Sequence, residues 1–342
     1  MRNTLNAIKK LLVDEYPVLS KYIKVNYGLL PDEEDSRDYI MGASSPLNWK
    51  VLKPDSNWLP EAEQMIDEVQ KGRRLETMGC TGYALNNIEE MIEINRGYER
   101  INRSDRFLNR MSGTGKNGNS MKRVLETRRT NGFVEESDWG WDRDDFTWNE
   151  YYSNIPQNIK DKALINNKKY IFGYDSVWAT RSMIVEALKY SPLYVGLYAW
   201  YKRGMLYYST GNPNHASTII SRDQFICYDS YNPYIKHLSE DFKVYYVKRI
   251  YLQKADEEYN AAEIAKLKKA GYRYIMRPNS NGEFYRVTDT GLEHIDDIKI
   301  IADEIAKEMK KSPADINVML KFLTQENQVK WIDEKTYLSL LV

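Results

Sequence analysis

Apolar side chains recur at helical spacing through the first half of the chain and alternate through much of the second. Leu5, Ile8, Leu11, Leu12 and Tyr16 lie on one face, which predicts an amphipathic lead-in helix within residues 1–30. From Pro31 to Glu61 turn formers dominate (Pro46, Pro54, Asp55, Ser56, Asn57, Pro60), so this stretch reads as loop with short extended pieces. After Cys80, the positions Ala84, Leu85, Ile88, Met91 and Ile92 draw one face of a helix ending near Gly97. Met121, Val124, Leu125 and Arg128 mark a second helix, stopped by Asn131-Gly132. Between the two, residues 113–120 (GTGKNGNS) read as a flexible glycine-rich loop. It is not a phosphate-binding loop: Asn117 follows Lys116 where Ser or Thr is needed, and no apolar strand precedes it.

Residues 169–174, 193–201, 205–209, 215–221, 225–228 and 244–251 are β-branched and aromatic, with turn residues between them, and read as strands. Helices followed by strands predict an α+β fold. From Lys254 the composition shifts to a charged helix (Ala261 to Ala270), a hairpin (Tyr272 to Arg277 with Glu283 to Val287) and a helix from Asp296 to Lys311. Residues 254–342 are thus expected to form a small α/β module.

The 342 residues suit about two domains. Lys and Arg number 49 against 49 Asp and Glu, which leaves no basic footprint for a nucleic acid. No apolar run is long enough to span a membrane and no secretory leader opens the chain, so a cytoplasmic protein with no membrane partner is expected. Two cysteines, Cys80 and Cys227, and three scattered histidines, His215, His237 and His294, offer neither a disulfide framework nor a metal-ligand spacing. No metal or organic cofactor is expected, and the cysteines are free thiols in a reducing compartment.

Cys80 falls in the first turn of its helix, where unpaired N–H groups and the helix dipole favour a thiolate. Cys227, central in a strand, reads as a core residue. His215 lies seven residues before Arg222 and Asp229 seven after it. An antiparallel hairpin turning at Ser221-Arg222-Asp223 would set them directly opposite each other, where the carboxylate orients the imidazole.

These residues carry a resemblance to the papain-like cysteine peptidases, in particular their divergent bacterial and bacteriophage branch. Asp35-Ser-Arg-Asp-Tyr39 is similar to the opening D-x-R-D-Y segment of bacterial members, and Met78-Gly-Cys-Thr-Gly-Tyr-Ala84 to the nucleophile motif. Asn214-His215-Ala216 resembles the histidine motif, Ile226-Cys-Tyr-Asp-Ser-Tyr231 the strand that carries the family's Asn and Trp, and Ser191-Pro-Leu-Tyr-Val195 the strand before the histidine. Cys80 precedes His215 by 135 residues and Asp229 by 149, within the family interval of about 130–150.

The resemblance spans residues 31–253. It implies a two-lobe fold, with a helical lobe at about 62–164 and a β-barrel-like antiparallel lobe at about 165–253 together with 31–60. It assigns Cys80 as nucleophile, His215 as base, Asp229 in the place of the orienting Asn, and Tyr231 in that of the shielding Trp. Asn117, Gly118, Asn119 and Asn214 fall where the family binds substrate backbone. The family's oxyanion Gln stands six residues before the Cys, where this chain has Arg74. Glu76, Thr77, or Gln70 with four residues looped out, are the alternatives.

The implied activity is cysteine-type endopeptidase hydrolysis of a peptide or protein substrate through an acyl-enzyme, with a phage or host protein as a further partner of the C-terminal module. Two other readings share the residues: a papain-fold peptidoglycan amidase or acyl transferase, and an inactive structural or host-interaction relative, suggested by Arg74.

Overall fold

The computed structural model describes residues 27–33, 38, 40–41, 47, 49–73, 75–141, 145–222, 225–255, 267–277, 283–287, 292–295 and 329–331. The lead-in helix, the charged helix apart from its end, and the helix from Asp296 lie outside the described residues, as do Arg74 and most of Asp35 to Tyr39. Two compact units divide the chain: residues 1–45 with 49–253, and 46–48 with 254–342.

The first unit joins helices to one large sheet. Helix α1 (Cys80–Asn95) starts after Gly79 and is followed by Gly97 at φ +67°, a left-handed turn that glycine adopts without steric cost. Helix α2 (Asp105–Met111) is capped by Ser104, whose Oγ accepts from the Phe107 N–H. Helix α3 (Met121–Asn131) is capped by Ser120 and stopped by Gly132 at φ +74°. Helices α4 (Gln157–Asn167) and α5 (Arg181–Ala187) complete the longer helical segments.

The short strands β1 (Leu29–Leu30) and β2 (Asn119–Ser120) pair in parallel. The large sheet uses β3 (Tyr170–Ser176), β4 (Leu193–Leu197), β5 (Tyr201–Arg203), β6 (Leu206–Tyr208), β7 (His215–Ser221), β8 (Ile226–Tyr228), β9 (Ile235–Leu238) and β10 (Val244–Lys254). Its order is β3-β10-β4-β7-β8-β9-β6-β5. The pairing of β6 with β9 is parallel. The sheet is therefore mixed and open, with β3 and β5 as its edges. A closed antiparallel barrel, the sequence expectation, is not formed. The alternation foresaw six of these strands; β5 and β9, three and four residues long, were too short to carry a period.

Central strands β4 and β7 are buried along their whole length, because the sheet covers their flanks and α1 lies on β7. The two run in step: the Ala216 N–H points at Cys80 Sγ, and Thr218 Oγ1 donates to the Ala84 carbonyl. Two residues of strand advance about 6.7 Å and four residues of helix about 6 Å, so the contacts stay in register. One continuous apolar core results, with Leu85, Ile88 and Met91 from α1 against Val195, Ile219 and Ile220 from the sheet.

The second unit contains β11 (Tyr274–Arg277), β12 (Glu283–Val287), β13 (Leu292–Ile295) and β14 (Val329–Trp331), in the order β13-β12-β11-β14. The β11–β12 hairpin matches the alternation. Among the described residues no helix is long and apolar enough to cross a membrane.

The far half of α1 is not purely apolar. Glu89 and Glu93 meet Arg103 and Arg128 in pairs at 2.7–3.1 Å, with all four side chains fully buried. Buried charges persist only when paired in this way. Glu90, beside them, accepts the Arg103 backbone N–H at 3.0 Å. Burial pushes its carboxyl up to about 8, against the opposing pull of Arg103. A folded-state value above the unfolded one of about 4.3 means that its contribution to stability is full below that pH. It is lost as pH rises through about 8. Glu90→Gln is expected to flatten the loss of stability between pH 5 and pH 9 by on the order of 2–4 kcal/mol, read by denaturant unfolding at both pH values.

Candidate active site

The sulfur of Cys80 sits at the head of α1. Gly79 precedes it, and Met78 before that is held at φ +60°, a conformation that non-glycine residues rarely adopt and that concentrates at functional sites. Side chains at Gly79 or Gly82 would collide with Asn109 at 2.5–2.6 Å, so glycine allows this first turn to pack against α2. Cys80 Sγ accepts the Ala216 N–H at 3.4 Å. That contact sets the sulfur beside the first residue of β7, which is His215.

His215 and Asp229 are both buried, and the imidazole Nε2 meets Asp229 Oδ1 at 2.5 Å. They meet, but not as directly opposed residues. The observed pairs are Thr218↔Tyr228 and Ile219↔Cys227, with an irregularity before Ser221↔Ile226. Continued one step past the ladder, Asp229 falls opposite Ser217, two residues from the expected register. A displacement of two keeps a side chain on the same face of the sheet, and the diagonal neighbour is still within reach. The other ring nitrogen of His215, Nδ1, is buried with no hydrogen-bond partner among the described residues. Tyr27, Trp200 and Tyr231 surround the imidazole at ring distances of 5.2, 5.3 and 5.7 Å. Trp200 and Tyr27 carry no sequence signal for this position; Tyr231 was expected from the motif.

Asp229 has a second partner that the sequence did not suggest. Lys236 Nζ lies 2.8 Å from Asp229 Oδ2 and is almost fully buried. Burial opposes the Asp229 charge, but Lys236 and then His215 overcome it and hold the carboxyl well below the usual carboxylate range. Cys227, by contrast, is enclosed in the core, and burial pushes its thiol up to about 12.

The polar groups on the Gln70 side of α1's head come from a hairpin. The Thr77 N–H donates to the Gln70 carbonyl, Lys71 bridges to Glu76, and the Gly72 N–H donates to Leu75, so the residues between loop out. Gln70 is thereby brought next to the motif despite its sequence distance. Its Oε1 accepts from Ser230 Oγ at 2.7 Å, and its Nε2 donates to Glu76 at 2.8 Å and to the Tyr27 carbonyl at 3.3 Å. Glu76 acts as an acceptor throughout, from Gln70, the Met78 N–H and the Tyr231 hydroxyl. Thr77 Oγ1 spends its proton on the Gln70 carbonyl. Of the three candidate donors, Gln70 alone points a side-chain N–H at a peptide carbonyl, that of Tyr27.

That carbonyl belongs to the segment Tyr27–Leu30. The Tyr27 and Leu29 N–H groups donate to the Asn214 carbonyl, and the Asn119 N–H donates to the Gly28 carbonyl. Gly28 and Gly118 approach so closely that a Cβ on Gly118 would lie 1.8 Å from the Gly28 oxygen. The glycine-rich loop is therefore fastened, contrary to the flexible loop expected. Gly115 and Gly118 exchange backbone bonds, and Asn119 Nδ2 reaches back to Ser112 and Thr114. Asn119 and Asn214 meet the segment through their main chains, while Asn117 is exposed. Cys80 has no solvent exposure. Among the described residues there is no cluster of His, Cys, Asp and Glu suited to a metal ion.

No family model matches the chain, and no curated protein matches it. Solved structures similar to it include xylellain, a cysteine protease from Xylella fastidiosa, at 14% identity and TM-score 0.46, covering 66% of this chain and 95% of that one. The cysteine protease and lectin-like domains of Cwp84 from Clostridium difficile align at 15% identity and TM-score 0.47, covering 75% and 61%. Bromelain from Ananas comosus aligns at 18% and 0.40, covering 58% and 97%.

Gly28 sits at φ +108°, and a Cβ there would lie 2.4 Å from the Met78 oxygen, so no other residue fits. Gly28→Val is expected to dislodge Tyr27–Leu30 and to speed iodoacetamide labelling of Cys80 at least about tenfold, since accessibility limits a buried thiol. Peptide mapping by mass spectrometry reads the rate, and unchanged labelling would show that the segment is not what covers the sulfur.

Proposed function

We propose that the protein is a papain-like thiol endopeptidase in which Cys80, His215 and Asp229 act as nucleophile, base and orienting acid. The seating of the chain's own backbone at Tyr27–Leu30 carries this reading. A peptide segment bent at Gly28 lies there with a carbonyl on Gln70 Nε2 and two N–H groups converging on the Asn214 oxygen. Gln70 Nε2 thereby holds a peptide carbonyl on the side of α1's head, the kind of donor that acyl chemistry at Cys80 would need.

In this reading His215 Nδ1 faces the thiol and takes its proton, while Nε2–H stays on Asp229. The thiolate attacks the peptide carbonyl carbon. The oxygen takes up the negative charge beside Gln70 Nε2 and the Cys80 N–H, which as a first-turn group has no partner within the helix. His215 then protonates the departing amine, and water, deprotonated by the same imidazole, releases the acyl group from sulfur as a carboxylate. Tyr27–Leu30 would have to leave before a substrate could enter, which makes it a cover over the site. Gly118 and Asn119 supply the wall against which substrate backbone lies. Tyr231 and Trp200 keep water from the His215–Asp229 contact.

Cys80→Ala and His215→Ala are each expected to abolish release of peptides from casein by a version of the chain carrying Gly28→Val. Gln70→Ala in the same background is expected to lower kcat about 10²–10³-fold with little change in KM. Casein cleavage that survives Cys80→Ala would remove the proposal. Product release from purified cell wall but not from casein would replace the peptidase with an amidase.

A further inference from the structure

Lys236 occupies a built seat. Its side chain is buried, and its ammonium group donates to Asp229 Oδ2, to the Tyr231 carbonyl and to the Pro233 carbonyl. An ammonium has three protons to donate, so all three are used. The Trp200 and Tyr207 rings lie 5.1 and 5.7 Å from Nζ, within the range of cation–π contact. A lysine enclosed so completely serves the packing of β9 poorly compared with an apolar residue of similar length, since ion pairs of this kind are expensive to bury. Its position on the far oxygen of the carboxylate that holds His215 points to a different service.

Asp229 unpaired would place a full negative charge against the imidazole. That charge would favour imidazolium, and would oppose a thiolate at Cys80. With Lys236 on the other oxygen, the pair has no net charge, and His215 is held by a strong acceptor without being locked in its protonated form. We infer that Lys236 is a positioning residue that cancels the charge of Asp229 and so sets the pH range in which His215 can exchange a proton with Cys80. The inference rests on the proposed Cys80–His215 chemistry.

The titratable and charged groups that face this cluster are few. From α1 comes Cys80, from the hairpin Glu76, from β8 and the turn after it Cys227 and Tyr231, from β6 Tyr207, and from the covering segment Tyr27. Glu76 is engaged by Gln70, Met78 and Tyr231, and Lys236 is the lysine bonded directly to Asp229 among the described residues.

The test follows the His215 ring by ¹³C and ¹⁵N NMR in the full chain, its resonance assigned by its loss in His215→Gln. Lys236→Met is expected to raise the pH at which the resonance titrates by about one unit or more, as one uncompensated charge at this range should. Asp229→Asn is expected to lower it. The charge-matched double variant Asp229→Asn with Lys236→Met should return it toward the parent value. Should Lys236→Met not fold, Lys236→Gln keeps an N–H donor for the carbonyls and makes the same prediction. A titration unmoved in the folded lysine variant overturns the inference. The Cys80→Ala arm separates the two claims: if it leaves the His215 titration unchanged, the Cys80–His215 reading falls and the inference with it. If it moves the titration while the lysine variants do not, the role of Lys236 alone is refuted.

Discussion

The contact on which the site depends is the packing of α1 along β7. Helix and strand advance by nearly equal distances over four and two residues, so the bond from the Ala216 N–H to Cys80 Sγ and the bond from Thr218 to Ala84 are satisfied together. Tyr194 on the neighbouring strand adds a third, from its hydroxyl to the Thr81 carbonyl. With three polar contacts and a shared apolar core, neither element can slide without losing all of them. The sulfur at the helix head is therefore set by packing next to the strand that His215 opens, and the chemistry proposed there would inherit its precision from the core.

Charge is distributed around this junction with the same economy. Toward its far end α1 buries Glu89 and Glu93 against Arg103 and Arg128, and at the other side of the sheet's centre Asp229 is buried against His215 and Lys236. An isolated charge in either place would cost several kcal/mol of desolvation. In the first cluster pairing makes burial of polar helix residues tolerable. In the second, one carboxylate divides its two oxygens between an imidazole and a lysine.

Helices α1 and α3 were legible because their signals are local, whereas α2, α4 and α5 were not foreseen. Gly97 and Gly132 end α1 and α3 in left-handed turns, and the apolar stripe of α1 faces the core as its spacing requires. Strand β7 was legible from end to end, and the pairing of His215 with Asp229 survived an error in register because the error was an even number of residues. The closed barrel was not formed, since closure depends on which edges meet and no strand records that. Lys236 was unreadable: it stands in a strand of only four residues, between Ile235 and His237, and a lysine there ordinarily faces water. Gln70 was legible only as one alternative among three, because its place depends on how the hairpin between it and Cys80 folds back.

Residue chemistry and local period, which the amino-acid order carries in full, determined that a cysteine would head a helix, that a histidine would open a buried strand, and that an α+β chain would result. Only the tertiary structure decided which amide faces the carbonyl of Tyr27, which cation balances Asp229, and that Tyr27–Leu30 is bonded to Asn214 and Asn119. Each of those pairs residues more than a turn or a hairpin apart, or fixes which way a side chain points once the backbone is placed. Such choices follow from packing and from the need to satisfy every buried polar group at once, and a linear pattern does not contain them.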